Sequence, residues 1–276
     1  MESRQTDTLT AFPDTLPNAR SVAGHFGEWL QGRLGPAGPV ALVTMRCEAL
    51  RVHVAPGCSV PPFEPARMAA FRAALGLDAG DWPALRHDMP LGAGAGGSTA
   101  SLVAYARALG FRGPPETLAR ACLAVEGASD PLMLDAPDRV LWASREARVL
   151  RVLAPPPAAT IVGGFWGAPV PTDPGDDAFA DIADLAEAWA EATRAGDLAG
   201  AARVATASAA RCTALRGGAD PMQDLARDLG ALGVVRAHTG SARGLIFPRH
   251  GAPDLARERL ADAGLTGILA FDTGGA

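Results

Sequence analysis

The apolar positions switch between the period of strands and the period of helices, and this switching marks out the elements. Apolar runs at 40–45 and 50–55 predict strands, 84–89 is strand-like, and 66–75 predicts a short helix with arginines on one side. After the run Gly92-Ala93-Gly94-Ala95-Gly96-Gly97-Ser98-Thr99, Leu102, Ala106 and Leu109 recur at helical spacing. A glycine loop therefore opens a helix. Pro115 suits the first turn of a second helix over 115–125, with Leu118, Cys122 and Val125 on one face, ending at Glu126-Gly127. Runs at 140–142 and 149–153 predict strands paired across a polar turn, and the proline-rich stretch 154–160 marks a domain boundary.

The second half has its own rhythm. It predicts a strand at 161–166 and a helix at 178–194 with Phe179, Ile182, Leu185 and Trp189 inward. Helices at 198–215 and 222–232, strands at 234–237 and 245–247, a helix at 254–263 and a strand at 267–271 follow. Without the extra helices this is strand-helix-strand-strand-helix-strand, the ferredoxin-like pattern. The expectation is an α+β fold in two parts, 21–157 and 158–276. A polar arm over 1–20, with Pro13 and Pro17, would precede them.

Composition narrows the chemistry. The chain has 276 residues, 48% of them hydrophobic, 20% charged, with a net charge of −5. All 25 basic residues are arginine. That excludes a Walker-A P-loop, a pyridoxal Schiff base and a protein-kinase site, each of which needs a lysine. Mild acidity without a basic run argues against nucleic acid as a partner. Cys47, Cys58, Cys122 and Cys212 form no C-x-x-C pair, so neither a zinc knuckle nor a redox motif is present. The charge-free stretch 152–172 is long enough to span a bilayer, but prolines interrupt it and no membrane segment is expected. No signal peptide is visible, which makes the cytoplasm the default expectation.

Glycines let main-chain N–H groups approach an anion, and the helix that follows the loop adds its positive dipole end, so 92–97 fits a phosphate. A plain strand-to-helix turn is the alternative. Gly92, Gly94 and Gly97 also satisfy G-x-G-x-x-G. The dinucleotide fingerprint, however, should follow an early parallel strand, and Glu116, near the ribose-acid distance, begins a helix instead. Ser98 and Thr99, at the helix entrance, can cap the helix or face a phosphate-bound magnesium ion. Glu126 sits at the wrong end of its helix dipole, which a cation or donor would offset; an exposed, frayed glutamate is the alternative. Asp130 lies in a turn, and His238 and Arg243 flank a glycine-bearing segment that reads as a hairpin or as an anion site. For most of His25, His53, His87 and His250 the expected role is structural or on the surface, since none has metal-ligand spacing. No G-x-S-x-G elbow occurs, and the acidic stretch 173–187 reads as a solvated helix face.

Together the segments resemble a GHMP kinase. Pro90-Leu91-Gly92-Ala93-Gly94-Ala95-Gly96-Gly97-Ser98-Thr99-Ala100 is similar to that superfamily's phosphate loop, which uses main-chain amides and no lysine. Within it the chain resembles the L-threonine kinases of cobalamin synthesis and propanediol utilisation. The similar segments are 24–32 (G-H-F-G-E-W-L-Q-G), 41–45 (A-L-V-T-M), 126–130 (E-G-A-S-D) and 237–247 (A-H-T-G-S-A-R-G-L-I-F). Three departures stand out. Gly97 replaces the first of the paired serines, Glu126 and Asp130 are one residue further apart, and His25-Phe26 replaces small residues.

The resemblance implies a ribosomal-protein-S5-domain-2-like N-terminal part, a C-terminal ferredoxin-like part, and ATP with Mg2+ as cofactors. It implies ATP contacts at Pro90, Gly92, Gly94, Gly96, Gly97, Ser98 and Thr99, and magnesium at Ser98 and Glu126. It also implies Asp130 as base, with Asp135 in reserve. Glu28, Gln31, His238 and Arg243 are then candidates for the small-molecule substrate. The implied reaction is phosphorylation of an amino-acid hydroxyl, L-threonine first, with homoserine or a catalytically impaired nucleotide sensor as alternatives.

Overall fold

The computed structural model describes residues 21–168, 173, 175–217 and 220–274. The arm expected over 1–20 and part of the charge-free stretch, 169–172, lie outside the described residues.

Strand β1 (Ser21–Arg33) is buried almost without interruption from Gly24 to Leu30. It pairs with the long strand β2 (Val40–Cys58), with register shifts at Ala23/Gly24, His25/Glu28 and Glu28/Leu30. The apolar runs at 40–45 and 50–55 are thus one strand. Its polar middle is tolerated because β2 is paired to β1 on both sides of it, with Glu48 and Ala49 left exposed. β3 (Pro83–His87) pairs with the later part of β2, and β4 (Val140–Ala143) pairs with its start and with β5 (Arg148–Val152).

β6 (Ala159–Phe165), β7 (Gly233–Arg236), β8 (Ala242–Pro248) and β9 (Thr266–Thr273) lie in the order β7-β8-β6-β9, all antiparallel, as a ferredoxin-like sheet requires. β1 pairs with β7 at Glu28 and Arg236, so among the described residues all nine strands form one sheet.

The helices are α1 (Pro65–Ala74), α2 (Gly97–Ala108), α3 (Pro115–Glu126), α4 (Ala183–Ala195), α5 (Leu198–Arg216), α6 (Met222–Leu229) and α7 (Ala256–Asp262). α2 packs on β1 and β2, and α5 on β1 and β7. The buried Trp29 and Trp189 rings meet at 5.2 Å, tying α4 to β1.

Two helix bounds differ from the sequence expectation. α4 starts at Ala183, whose N–H donates to the Asp181 carboxylate at 2.9 Å, so Phe179 is outside the helix rather than on its inner face. α6 stops at Leu229 because Gly230 turns left-handed, at φ 67°, before residue 232.

Candidate functional site

The site begins with the glycine loop. Gly92, Gly94 and Gly96 hold φ values of 76°, 75° and 68°, which L-residues avoid, and Gly96 is the N-cap of α2 without any side-chain cap. The loop is anchored by its carbonyls. Ala95 O accepts from His25 N and Gly94 O from Gly27 N, each at 3.1 Å, and Ala93 O accepts from Ser241 N and Ala242 N, each at 3.0 Å. Among the described residues, none of the main-chain N–H groups from Gly94 to Thr99 has a hydrogen-bond partner. Such a set of unspent donors at a helix start is the arrangement an anion needs.

Close packing explains the later glycines. A Cβ on Gly240 would fall 2.3 Å from Gly94 Cα, and one on Gly94 2.5 Å from the Ala237 side chain. The segment 238–241 is the turn of the β7–β8 hairpin, and it also forms the back wall of the glycine loop.

The loop borders a cavity of about 430 Å³ that also takes in His25, Glu28, Gln31, Glu126, Asp130 and His238. Glu126 ends α3, where the Arg67 guanidinium satisfies the Val125 carbonyl at 2.7 Å. Thr99 Oγ1 donates to Glu126 Oε2 at 3.1 Å, while Glu126 Oε1 is buried without a hydrogen-bond partner. Burial, and then the charge of Asp130, push the Glu126 carboxyl up to about 8, against the pull of the Ser98 and Thr99 hydroxyls.

Asp130 is held by the loop that precedes it: Trp142 Nε1 donates to Ser129 O at 2.6 Å, and Ser129 N donates to Ser144 O at 2.9 Å. Its own N–H donates to Thr99 Oγ1 at 3.3 Å, so one threonine hydroxyl touches both carboxylate-bearing residues. The extra residue between Glu126 and Asp130 does not separate them from the glycine loop.

His25 lies against Asp130, Nε2 to Oδ2 at 3.2 Å, and its Nδ1 is 4.0 Å from Glu28 Oε1. Burial opposes charge on this imidazole, but the Asp130 carboxylate and its hydrogen bond, then Glu28, outweigh it and raise His25 to about 9. Burial first, and then Asp130, raise Glu28 to about 7, although His25 pulls the other way. Strict alternation would put residues 25 and 28 on opposite faces of β1. The register shift between them, at Gly27 with φ 67°, brings both to the cavity. No motif gives His25 a chemical role; its place in the segment 24–32 is the signal the sequence offers.

His238 lines the cavity but is engaged on both ring nitrogens, 3.5 Å from Cys212 Sγ and accepting from Arg216 Nε at 2.9 Å. Phe179 stacks on it at 4.3 Å, and burial, then Arg216, lower it to about 4, so it is neutral. Its main-chain N–H donates to Glu28 Oε2 at 3.3 Å.

Arg243 stands apart, against the expectation of an anion-facing side chain. It is buried, pairs with Asp220 at 2.8 Å, donates to Gly240 O and Ala242 O, and does not border the cavity. Its donors go to Asp220 and to the Gly240 and Ala242 carbonyls, away from the cavity. Asp135 is exposed and outside the cavity, and its carbonyl accepts from Arg46, whereas Asp130 borders the cavity.

Among cavity residues that sequence reading missed, Arg145, Asp176 and Phe179 come from segments without a motif; Arg145 donates to Asp176 O at 2.6 Å. No helix among the described residues is long and apolar enough to cross a membrane.

No protein-family model matches the chain, and no curated protein matches it. Solved structures do. Mevalonate kinase from methicillin-resistant Staphylococcus aureus MRSA252 aligns with 14% identity over 93% of this chain and 98% of that one, at a TM-score of 0.58. L. major mevalonate kinase in complex with R-mevalonate gives 16% identity, 92% and 94% coverage, and 0.57. Homoserine kinase from Cytophaga hutchinsonii gives 14%, 97% and 97%, and 0.51. The chain shares the fold of these kinases over nearly their whole length.

Proposed function

We propose that the protein is a magnesium-dependent kinase that transfers the γ-phosphoryl group of ATP to the hydroxyl of a small amino acid. L-threonine is the acceptor put forward first, giving O-phospho-L-threonine for assembly of the cobalamin nucleotide loop. One observation carries the reading: unpartnered N–H groups at the start of α2 share a cavity with the carboxylates of Glu126 and Asp130, and the Thr99 hydroxyl joins the Glu126 carboxylate to the Asp130 main-chain N–H. The fold neighbours are named as kinases of mevalonate and homoserine, and the segments 24–32, 126–130 and 237–247 resemble L-threonine kinases.

The residues suit a magnesium ion. Glu126 Oε1 is a buried carboxylate oxygen with nothing to accept from, the Ser98 hydroxyl is close by, and hard oxygen donors are what Mg2+ takes. When bound, the ion neutralises charge on the phosphate oxygens. The chain's own groups do the rest. The main-chain amides of 94–99 cradle the phosphates, and Thr99 holds Glu126 and the Asp130 backbone in one arrangement. Asp130 accepts the proton of the acceptor hydroxyl, a role that needs a positioned carboxylate within hydrogen-bond reach. Glu28 and Gln31 line the cavity from β1, which supports assigning them to the ammonium and carboxylate head group of the acceptor.

The test is to incubate the purified protein with magnesium-ATP and L-threonine, L-homoserine, L-serine or mevalonate in turn, reading ADP release and product mass. Turnover with L-threonine above the others is the expected result. Turnover with homoserine alone would move the acceptor. Tight binding of a non-hydrolysable ATP analogue with no turnover of any acceptor would mean a nucleotide sensor.

A further inference from the structure

We infer that His25 is a positioning residue that holds the Asp130 carboxylate in place through a fixed imidazolium ion pair, an inference that rests on the phosphoryl-transfer reading above. The geometry selects the charge. His25 Nδ1 lies 3.1 Å from Gly27 O, a carbonyl that can only accept, so this nitrogen carries a proton. Nε2 lies 3.2 Å from Asp130 Oδ2, which as a carboxylate also only accepts. Both ring nitrogens then donate at once, and a neutral imidazole has one N–H. The raised value of about 9 agrees with this assignment.

Packing encloses the ring. His25 is 2% exposed, and a Cβ on Gly96 would fall 2.4 Å from His25 Cδ2, so the glycine loop is shaped around the imidazole. The groups facing His25 are Asp130 across the cavity and Glu28 on its own strand, and Glu28 is in turn held by the His238 N–H and drawn by Arg243. With no lysine in the chain, the imidazolium is the cation that meets Asp130. Asp130 is thereby fixed at both ends, its side chain by His25 and its N–H by Thr99 Oγ1. A base held in this way keeps its oxygen aimed at the acceptor hydroxyl, and small displacements of such a group cost on the order of 100-fold in rate.

The experiment has two arms. In the first, the imidazole carbons of the full-length protein are followed by NMR from pH 5 to 10. His25, assigned by its absence in His25→Gln, is expected to titrate near 9, and in Asp130→Asn at least about one pH unit lower. In the second, kcat and KM are measured for wild type, His25→Gln and His25→Lys with the acceptor that wild type turns over. His25→Gln should lower kcat by about 10- to 100-fold with KM for ATP within about twofold, and should move the acid limb of the kcat profile to higher pH. His25→Lys, which restores a cation, should recover part of the loss.

Titration of His25 at 7 or below, indifferent to Asp130→Asn, would overturn the ion pair. Unchanged kcat in His25→Gln would overturn the positioning role. If wild type turns over no acceptor, the kinase reading fails by itself, and the NMR arm still decides whether the pair exists.

Discussion

Replacing Glu126 with glutamine should stabilise the metal-free protein, and by an amount that depends on pH. The folded-state carboxyl titrates at about 8 against an ordinary 4.5 because it is buried and faces Asp130. A folded value above the unfolded one means that the folded state keeps a proton the unfolded chain has released. Stability therefore falls as pH rises from about 4.5 to about 8, and is lowest above that window. At about 1.4 kcal/mol per pH unit the full loss is about 5 kcal/mol. Glu126 is only partly enclosed, and relaxation of Asp130 and entry of water reduce the gain from a neutral isostere to about 2 kcal/mol.

Glutamine retains an oxygen for the Thr99 hydroxyl, so the bond from Thr99 Oγ1 is kept. Urea unfolding with chelator present, at pH 5, 7 and 8.5, is the measurement. The two proteins should be nearly equal at pH 5, with the variant ahead by about 2 kcal/mol at pH 8.5. Adding magnesium should stabilise wild type and leave the variant unmoved, narrowing or reversing the order. A variant less stable than wild type at pH 8.5 in chelator, or a gap independent of pH, would refute the reasoning.

Two further substitutions separate the loop from its supports. Gly240→Ala puts a methyl group against the Gly94 and Ala93 backbone and strains the two hydrogen bonds to Ala93 O. It should cost about 1–3 kcal/mol in thermal unfolding and weaken binding of a non-hydrolysable ATP analogue, measured by calorimetry. Unchanged binding despite the lost stability would show that the 238–241 segment does not shape the loop. Arg243→Leu leaves Asp220 without its buried partner and should cost about 3–5 kcal/mol, with analogue affinity of the folded protein within about twofold. Weakened affinity at full stability would return Arg243 to the anion-binding role expected from its sequence neighbourhood.

The glycine loop, the helix it opens and the carboxylate at the end of α3 were legible in the chain itself. Loop conformation, helix period and helix termination are set by neighbours within a few positions, and residues 92–109 and 115–127 contain all of those neighbours. The strand-helix order that gives the ferredoxin-like sheet was legible for the same reason.

What the chain order could not show is which distant residues meet. His25 and Asp130 are 105 positions apart and join only because a bulge in β1 turns His25 and Glu28 toward one cavity. Phe179 lies outside its expected helix because α4 begins only at Ala183, and it stacks on His238. Arg243, beside a glycine motif in sequence, was drawn instead to Asp220. Local pattern specifies where a segment starts, stops and buries a face. Partner choice follows from sheet pairing and from burial, which force each buried charge to find a counter-charge wherever the fold supplies one.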